Sequence, residues 1–319
     1  MKKLSLCLVL FALWPLSVNS WGFFAHKTIN YAAVFTLPEE MFPFYRNHIE
    51  LIRSYAVNAD KRRYVSEHEA RYHYLDADVY EQKVPIDTIP KRWKDALEKY
   101  GLDSLNKHGI GPWHLNLVHH QLTKAFNQRN FDAIVRLSAD LGHYVGDLHV
   151  PLHTTKNYNG QLSDQHGIHG FWESRLPELF VSDYDLFTGK ARYIDSVQAV
   201  IWQRFEESFA AKDSVLLFEA RLSSKTSDEK KYGFEPRGAS VVKTYSRRYS
   251  EQYHVLLNDM VERRLRASIE LTGSLWYTAW VNAGQPVLEM DYIVPTDSTH
   301  QQLDSAYRLK NIIGRMEAK

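Results

Sequence analysis

Residues 141–153 combine side chains that can bind a metal ion with a break in helical structure. This stretch contains three histidines and one aspartate, in the order His143, Asp147, His149 and His153. On a helix, His143 and Asp147 lie on one face, one turn apart, because they are four residues apart. Pro151 has no backbone N–H and restricts the residue before it, so the helix should end near Leu148. The chain then turns and can bring His153 back to the same side.

A second pair with the same spacing follows. His169 and Glu173 can also present a nitrogen and an oxygen ligand from one helix face. Earlier in the chain lie three further candidates: His26, Asp60 and His73. Imidazole and carboxylate ligands without thiolates suit zinc in a hydrolytic site rather than a structural zinc knot. A lone histidine is usually a surface or core residue, but the joint pattern predicts a metal site. We expect the other histidines to be structural or to support the ligands, among them His119, His120, His149 and His166.

Helices are the elements that the hydrophobic pattern predicts around these candidates. Apolar residues recur with helical spacing over about 24–34, 44–55, 93–105, 113–127, 131–148, 194–209 and 246–281. His169 opens a further ordered segment. Charged residues and two prolines predict irregular structure over residues 60–90, where Asp60 and His73 lie.

The remaining segments complete the prediction of the fold class. Residues 154–168 are rich in Asn, Gly, Ser and Asp and should form a loop, and residues 223–240 a polar surface loop. No stretch keeps the alternating period of a half-buried strand for long, and the sequence has no internal repeat. The sequence therefore predicts a single all-α, multi-helix domain with long loops. Residues 285–319 are not assigned to its core and form a C-terminal extension of unknown role.

The first twenty residues are typical of a secretory signal peptide. Two lysines precede an apolar run from Leu4 to Leu16, and small residues indicate cleavage after Ser20. The run is too short for a stable membrane span. We therefore expect a secreted or periplasmic protein that begins at Trp21. The only cysteine, Cys7, lies in this leader, so the mature chain has no thiol and no disulfide. A lipoprotein modified at Cys7 is the alternative, but most of the apolar run follows the cysteine.

The charge balance excludes one class of partner. The chain has 39 Lys and Arg against 38 Asp and Glu, which argues against recognition of a strongly charged partner by bulk electrostatics. No stable protein partner is indicated, and we expect a monomer. Without disulfides, stability must come from a hydrophobic core or from bound metal, and the length is sufficient for one sizeable core.

The order of these motifs resembles one superfamily. Trp-x-x-x-x-His follows the leader at 21–26, and an aspartate follows at Asp60. Three longer motifs come next: His-Tyr-x-Asp at 73–76, His-Tyr-x-Gly-Asp-x-x-x-Pro-x-His at 143–153 and His-x-x-x-Glu at 169–173. This set resembles the trinuclear-zinc phospholipases C and the fungal and plant single-strand zinc nucleases. The resemblance implies a phospholipase C/nuclease-like zinc-dependent phosphodiesterase domain over residues 21–284.

The resemblance also implies three zinc ions and their ligands. In that superfamily the mature N-terminal tryptophan, here Trp21, binds one zinc through its free amine and carbonyl oxygen, together with His26. Asp147 would bridge this zinc to a second one. The second zinc would also be bound by Asp60, His73 and His143, and the third by His153, His169 and Glu173. Signal peptidase would then have to free the amine of Trp21 before one of the ligands exists.

The implied reaction is hydrolysis of a phosphate ester. A hydroxide held by zinc ions has a pKa lowered toward neutrality and is a nucleophile at physiological pH. The third zinc would hold the phosphate oxygens and stabilise the charge that develops on them. By the resemblance, Asp60 also orients or deprotonates the attacking water. No protein nucleophile is needed, in agreement with the lack of a nucleophile-elbow serine motif.

The ligands do not distinguish the two branches, but other features favour a phospholipid substrate. Glu173 stands where the nucleases usually have Asp, the interval from His153 to His169 is short, and no disulfides are available. Single-stranded nucleic acid is the alternative substrate, for a single-strand-specific nuclease or 3′-nucleotidase.

Other positions resemble the nucleases or neither branch. Asp147-Leu-His149 and Trp172 are typical of the nuclease branch. Val150 replaces the Gln usual in both branches, and Ile168 replaces an Asn of the nucleases. An alternative of another class is a non-catalytic secreted helical protein that stores or senses metal; such a protein needs no open coordination position.

Overall fold

A computed structural model describes residues 22–237, 240–295 and 298–309. The helices of the N-terminal half are α1 (Gly22–Val34), α2 (Phe42–Asn47), α3 (Ile49–Tyr55), α4 (Asn58–Arg62), α5 (Trp93–Tyr100), α6 (Leu102–His108), α7 (Gly111–Asn127) and α8 (Phe131–Leu148). Those of the C-terminal half are α9 (Ile168–Gly170), α10 (Leu176–Phe180), α11 (Val197–Ser223), α12 (Asp228–Lys231), α13 (Arg247–Leu256), α14 (Met260–Asn282) and α15 (Ser298–Leu309). Within the described residues, the strands are confined to one antiparallel hairpin, β1 (Tyr232–Arg237) and β2 (Ser240–Tyr245). The predicted all-α, single-domain fold is confirmed.

Helix α8 lies in the main hydrophobic core and carries two of the candidate ligands. It begins after Asn130, whose side chain accepts a hydrogen bond from the backbone N–H of Ala133 (3.1 Å), and it ends at Leu148 as predicted. It packs against α1, α3, α7 and α14. Because His143 and Asp147 lie in its last two turns and are buried, the core fixes their positions.

A second, smaller core lies behind the segment that carries His169 and Glu173. This segment consists of α9, one π-helical turn from Phe171 to Arg175, and α10. The ring of Phe171 stacks on that of Tyr245 in β2, with centroids 3.8 Å apart. Arg175 forms an ion pair with Glu235 of β1 (Nη1–Oε2 2.8 Å). The hairpin therefore supports the turn that presents Glu173.

Several predicted boundaries differ from the structure. The helix expected over 44–55 is divided at His48, and that over 93–105 is divided at Gly101, whose φ is +73°. The helix expected over 246–281 is divided into α13 and α14, because Asn258 and Asp259 adopt left-handed conformations (φ +49° and +57°). Helix α11 continues to Ser223 instead of ending near residue 209.

The prediction of a surface loop over residues 223–240 is wrong. The segment contains the end of α11, then α12 and β1, and β1 pairs with β2 from Tyr232↔Tyr245 to Arg237↔Ser240. Tyr245 is buried against Phe171, so tertiary packing stabilises a hairpin whose strands are too short to show a clear alternating pattern.

The C-terminal extension contains an ordered helix. Helix α15 packs against α4, and its Leu303 is buried. The predicted leader and Trp21 lie outside the described residues. Within those residues, no helix has both the length and the apolar character needed to cross a membrane.

Candidate metal centre

Eight of the nine predicted ligands lie together in the structure, although they come from six different segments; the ninth, Trp21, lies outside the described residues. They are His26 from α1, Asp60 from α4, His73 from the 60–90 segment, His143 and Asp147 from α8, His153 from the turn after Pro151, and His169 and Glu173 from the α9–α10 segment. Three groups of these residues place one donor atom each within 4.8 Å of the others: His26, Asp60 and His143; His73, His143 and Asp147; His153, His169 and Glu173.

The first part of the centre surrounds one carboxylate oxygen of Asp147. Oδ2 of Asp147 lies 2.9 Å from Nδ1 of His73 and 3.1 Å from Nε2 of His143. These two ring nitrogens are 3.0 Å apart. Oδ1 of Asp60 lies 3.9 Å from the nitrogen of His73 and 3.8 Å from that of His143. A tetrahedral zinc ion separates its nitrogen and oxygen ligands by about 3.3 Å, so the spacing of these atoms fits such an ion.

The second part of the centre has three donor atoms. Nε2 of His153 lies 3.1 Å from Nε2 of His169 and 3.3 Å from Oε2 of Glu173. Oε2 of Glu173 is also 2.9 Å from Nε2 of His169. Facing ring nitrogens at such distances must share a proton or a cation, because two lone pairs repel each other. Three protein ligands leave a fourth position of a tetrahedral ion open, as in catalytic zinc sites.

The second oxygen of Asp147 connects the two parts and reaches His26. Oδ1 of Asp147 lies 3.5 Å from Nε2 of His26 and 3.5 Å from Nδ1 of His153. The ring of His26 stacks on that of His143, with centroids 4.0 Å apart. Gly146 permits this arrangement, because a Cβ at that position would lie 2.7 Å from Nδ1 of His26. Asp147 can therefore bridge two cations, one beside His26 and one beside His73 and His143.

Backbone carbonyls orient three of the imidazoles. Nδ1 of His143 donates to the carbonyl oxygen of Ala56 (2.8 Å), and Nδ1 of His153 donates to that of His73 (2.8 Å). Nδ1 of His169 lies 3.2 Å from the carbonyl oxygen of Tyr158. Each bond assigns the proton to Nδ1 and leaves the lone pair on Nε2, the atom that faces the centre.

A carboxylate that the sequence reasoning missed orients His73. Oε1 of buried Glu69 lies 3.6 Å from Nε2 of His73, on the side opposite to the nitrogen that faces Asp147. Glu69 is held by Arg62 (Nε–Oε2 3.0 Å) and by the hydroxyl of Tyr144, which donates to Oε1 (2.5 Å). The 3.6 Å separation is that of an ion pair rather than a hydrogen bond, and a carboxylate in this place can fix the orientation of a ligand ring and raise its basicity. The four-residue spacing of Glu69 and His73 was the available signal.

The electrostatics favour anionic carboxylates inside a buried cluster. Burial raises the pKa of Asp147, but His143, His153 and His73 together hold it well below its usual range. Burial likewise opposes ionisation of Glu173, yet His169 and His153 lower the pKa of its carboxyl well below the ordinary value. The pKa of His26 falls to about 4, first because of burial and then because of His143, so its ring is neutral and has a free lone pair. Burial lowers the pKa of His73, but Asp147 and Glu69 outweigh it and raise this pKa to about 10, so a divalent cation would displace a proton from the ring. Ionised carboxylates with imidazoles that release their protons form a donor set for a divalent cation.

The remaining histidines discussed above do not join the three groups. His149 is buried, and its Nδ1 donates to the carbonyl oxygen of Val145 (2.8 Å). His119 is buried in α7, and His120 beside it is exposed.

Comparisons with protein-family models and with curated proteins find no match for this chain. Any activity must therefore be inferred from the structure, which shows buried His, Asp and Glu clusters that can hold metal ions.

Proposed function

We propose that this protein is a secreted, zinc-dependent hydrolase of phosphate esters with a phospholipase C-like specificity. The observation that carries the proposal is the bridging position of Asp147, with one oxygen beside His73 and His143 and the other beside His26 and His153. A bridged pair of cations with a third nearby suits the hydrolysis of phosphate esters. The chain has no cysteine after Cys7, so the donors are nitrogen and oxygen atoms, which zinc accepts.

Three zinc ions would be held by the described residues and Trp21. Asp147 would bridge the first and second ions, with Trp21 and His26 on the first. The second would also be held by Asp60, His73 and His143, and the third by His153, His169 and Glu173. When bound, zinc lowers the pKa of a coordinated water and stabilises negative charge on phosphate oxygens.

The side chains of the centre have different roles in the proposed reaction. The Asp60 carboxylate, whose side chain is 21% exposed, can reach solvent and accept a proton from the attacking water. Glu173, whose side chain is 19% exposed, would help to hold the third ion with His153 and His169. The buried histidines keep fixed rings, and Glu69 holds His73 in its orientation. No protein nucleophile is required by this arrangement.

A phospholipid is the substrate that the sequence favours, and single-stranded nucleic acid is the second candidate. The structure adds one relevant observation: the Trp172 side chain, a residue typical of the nuclease branch, is only 4% exposed and packs in the smaller core. Its indole is therefore not available to stack on a base. Trp172 therefore gives no evidence for base stacking, and the choice of a phospholipid rests on the sequence features.

A side-by-side assay of phosphatidylcholine, single-stranded DNA and single-stranded RNA tests the proposal. We expect zinc-dependent release of a phosphorylated head group from the lipid, loss of activity with a chelator, and recovery when zinc is added back. Faster hydrolysis of DNA or RNA would select the nuclease alternative. Stoichiometric zinc binding without hydrolysis of any of the three would leave a protein that stores or senses metal.

A further inference from the structure

The C-terminal helix α15 contacts the short helix that carries Asp60. Helix α4 has five residues, so its backbone hydrogen bonds alone cannot stabilise it, and its position depends on its neighbours. Nδ1 of His300 lies 2.9 Å from Oδ1 of Asn58, two residues before Asp60. Oδ1 of Asp304 lies 2.5 Å from Nζ of Lys61, the residue after Asp60. The two contacts therefore hold α4 on both sides of this ligand.

A third contact continues the same face of α15. The ring of Tyr307 packs against Phe23 of α1 and meets the ring of Tyr64 edge to face, both with centroids 5.2 Å apart. His300, Asp304 and Tyr307 are separated by four and three residues, so they lie along one side of the helix. This side contacts the first turn of α1 and α4, the helices that carry His26 and Asp60, two members of one group of the candidate centre.

Asp60 depends on this support more than the other ligands do. Within the described residues we find no hydrogen bond to its carboxylate, and the ring nitrogens of His143 and His73 lie 3.8 and 3.9 Å from it. His143 and Asp147, in contrast, lie on an 18-residue helix in the main core. A shift of α4 would therefore move Asp60 relative to a rigid set of partners.

We propose that α15 is a clamp that positions Asp60 through α4, with Asp304 and His300 as positioning residues. The proposal rests on the ligand role that the proposed function gives to Asp60. Lys61 is almost fully buried, with 8% of its side chain exposed, while Asp304 is 38% exposed. Without Asp304 the ammonium would be buried and unpaired, so α4 would move to bring it to solvent.

The test replaces Asp304 by Asn and uses two matched variants. Asp304→Glu keeps the charge and should restore the wild-type behaviour. Gln302→Lys makes the same change in net charge on an exposed position of α15 and should have no effect. We expect Asp304→Asn to weaken binding of one zinc about tenfold, the effect typical of groups that support metal ligands, with the other two ions retained. Zinc affinity is measured by chelator competition.

Amide hydrogen exchange of the zinc-free protein separates the clamp from the proposed activity. Asp304→Asn should increase exchange at residues 58–62, and Gln302→Lys should not. Unchanged exchange there and unchanged zinc affinity in Asp304→Asn would overturn the clamp. If the wild-type protein binds zinc but hydrolyses no phosphate ester, the proposed activity fails, while the difference between Asp304→Asn and Gln302→Lys still decides the clamp.

Discussion

Asp147 and His73 are 74 residues apart in the sequence, yet Oδ2 of Asp147 lies 2.9 Å from Nδ1 of His73. The other oxygen of the same carboxylate faces His26 and His153, each at 3.5 Å. Because its two oxygens face different histidines, Asp147 can contact two cations at once. Glu173, by comparison, presents Oε2 to His153 and His169, and both of these histidines are assigned to one ion.

Asp147→Asn should therefore cost more metal than Glu173→Asp. The amide cannot bridge two cations, whereas the shortened acid keeps a carboxylate for the third ion. We expect elemental analysis to show loss of at least one zinc per chain in Asp147→Asn and near-complete occupancy in Glu173→Asp. Equal losses in the two variants would contradict the bridging role of Asp147.

Glu69→Gln should weaken zinc binding although Glu69 is not a ligand. The amide cannot stabilise the Nε2–H of His73 as the carboxylate does, so we expect affinity to fall roughly 10- to 100-fold, as for other groups that orient metal ligands. The exposed neighbour Glu67 provides the control, because Glu67→Gln makes the same charge change on the surface. Chelator competition measures both variants, and equal affinities would exclude the orienting role.

The sequence predicted the all-α fold class and the two histidine–acid pairs because both depend on local patterns, whereas the ligand roles of His26, Asp60 and His73 were implied by the resemblance and stay a prediction. Four-residue spacings identified the pair His143 and Asp147 and the pair His169 and Glu173, and Pro151 placed the end of α8. These features are set by helix geometry and by the missing N–H of proline, so they do not depend on the rest of the fold.

Other features depend on contacts between distant segments, so local sequence patterns could not predict them. The β1–β2 hairpin is stabilised by the stacking of Tyr245 on Phe171, and α15 is held by Lys61 and Tyr64. The division of α13 from α14 depends on left-handed backbone conformations at Asn258 and Asp259, which an apolar stripe does not reveal. The role of Glu69 depends on how the His73 ring is oriented.

An additional residue before Trp21 should remove one zinc. This prediction rests on the resemblance, which gives the free amine of Trp21 a ligand role beside His26. Nε2 of His26 faces Asp147 at 3.5 Å, and the other members of its group, Asp60 and His143, are the residues that the resemblance assigns to the second ion. We expect the extended chain to bind one zinc fewer and to lose most activity, as measured by elemental analysis and by the lipid assay. Full zinc content with a blocked terminus would show that the amine is not a ligand.

His119→Gln should reduce the sensitivity of the fold to acid. Burial, followed by the charge of His120, lowers the pKa of His119 to about 4, below the value near 6.5 expected in the unfolded chain. The folded state thus favours neutral His119. The free energy of unfolding is unaffected by this group above pH 6.5, and it decreases as the pH falls from 6.5 toward 4, because the unfolded chain takes up the proton first. The loss is on the order of 3 kcal/mol at pH 4.

Glutamine cannot take up this proton, so the unfolding free energy of His119→Gln should fall less between pH 6.5 and 4. Urea unfolding of the zinc-free protein at several pH values measures the slope. His166→Gln, at an exposed position that is not among the groups acting on His119, is the matched control and should keep the wild-type slope. An identical pH slope in His119→Gln and the wild type would show that burial of His119 does not limit acid stability.

Gly146→Ala should displace His26 without weakening α8. The new Cβ would lie 2.7 Å from Nδ1 and 3.0 Å from Cε1 of His26, and 3.1 Å from Cδ1 of Ile29, so the His26 ring must leave its present position. Alanine is favoured over glycine in a helix by roughly 0.5–1 kcal/mol, so a general loss of stability is not the expected result. We expect the zinc bound by His26 to be held at least about tenfold more weakly, by analogy with other disturbed metal ligands.

Gly233→Ala is the control for this substitution, because the nearest atom to its new Cβ is 3.8 Å away, an ordinary contact distance. Zinc affinity and thermal unfolding are measured together for both variants. Reduced zinc affinity with unchanged thermal stability in Gly146→Ala alone would support the position of His26 beside Asp147. Wild-type zinc affinity in Gly146→Ala would mean that His26 does not bind the ion, because its ring cannot stay in place once the methyl group is present.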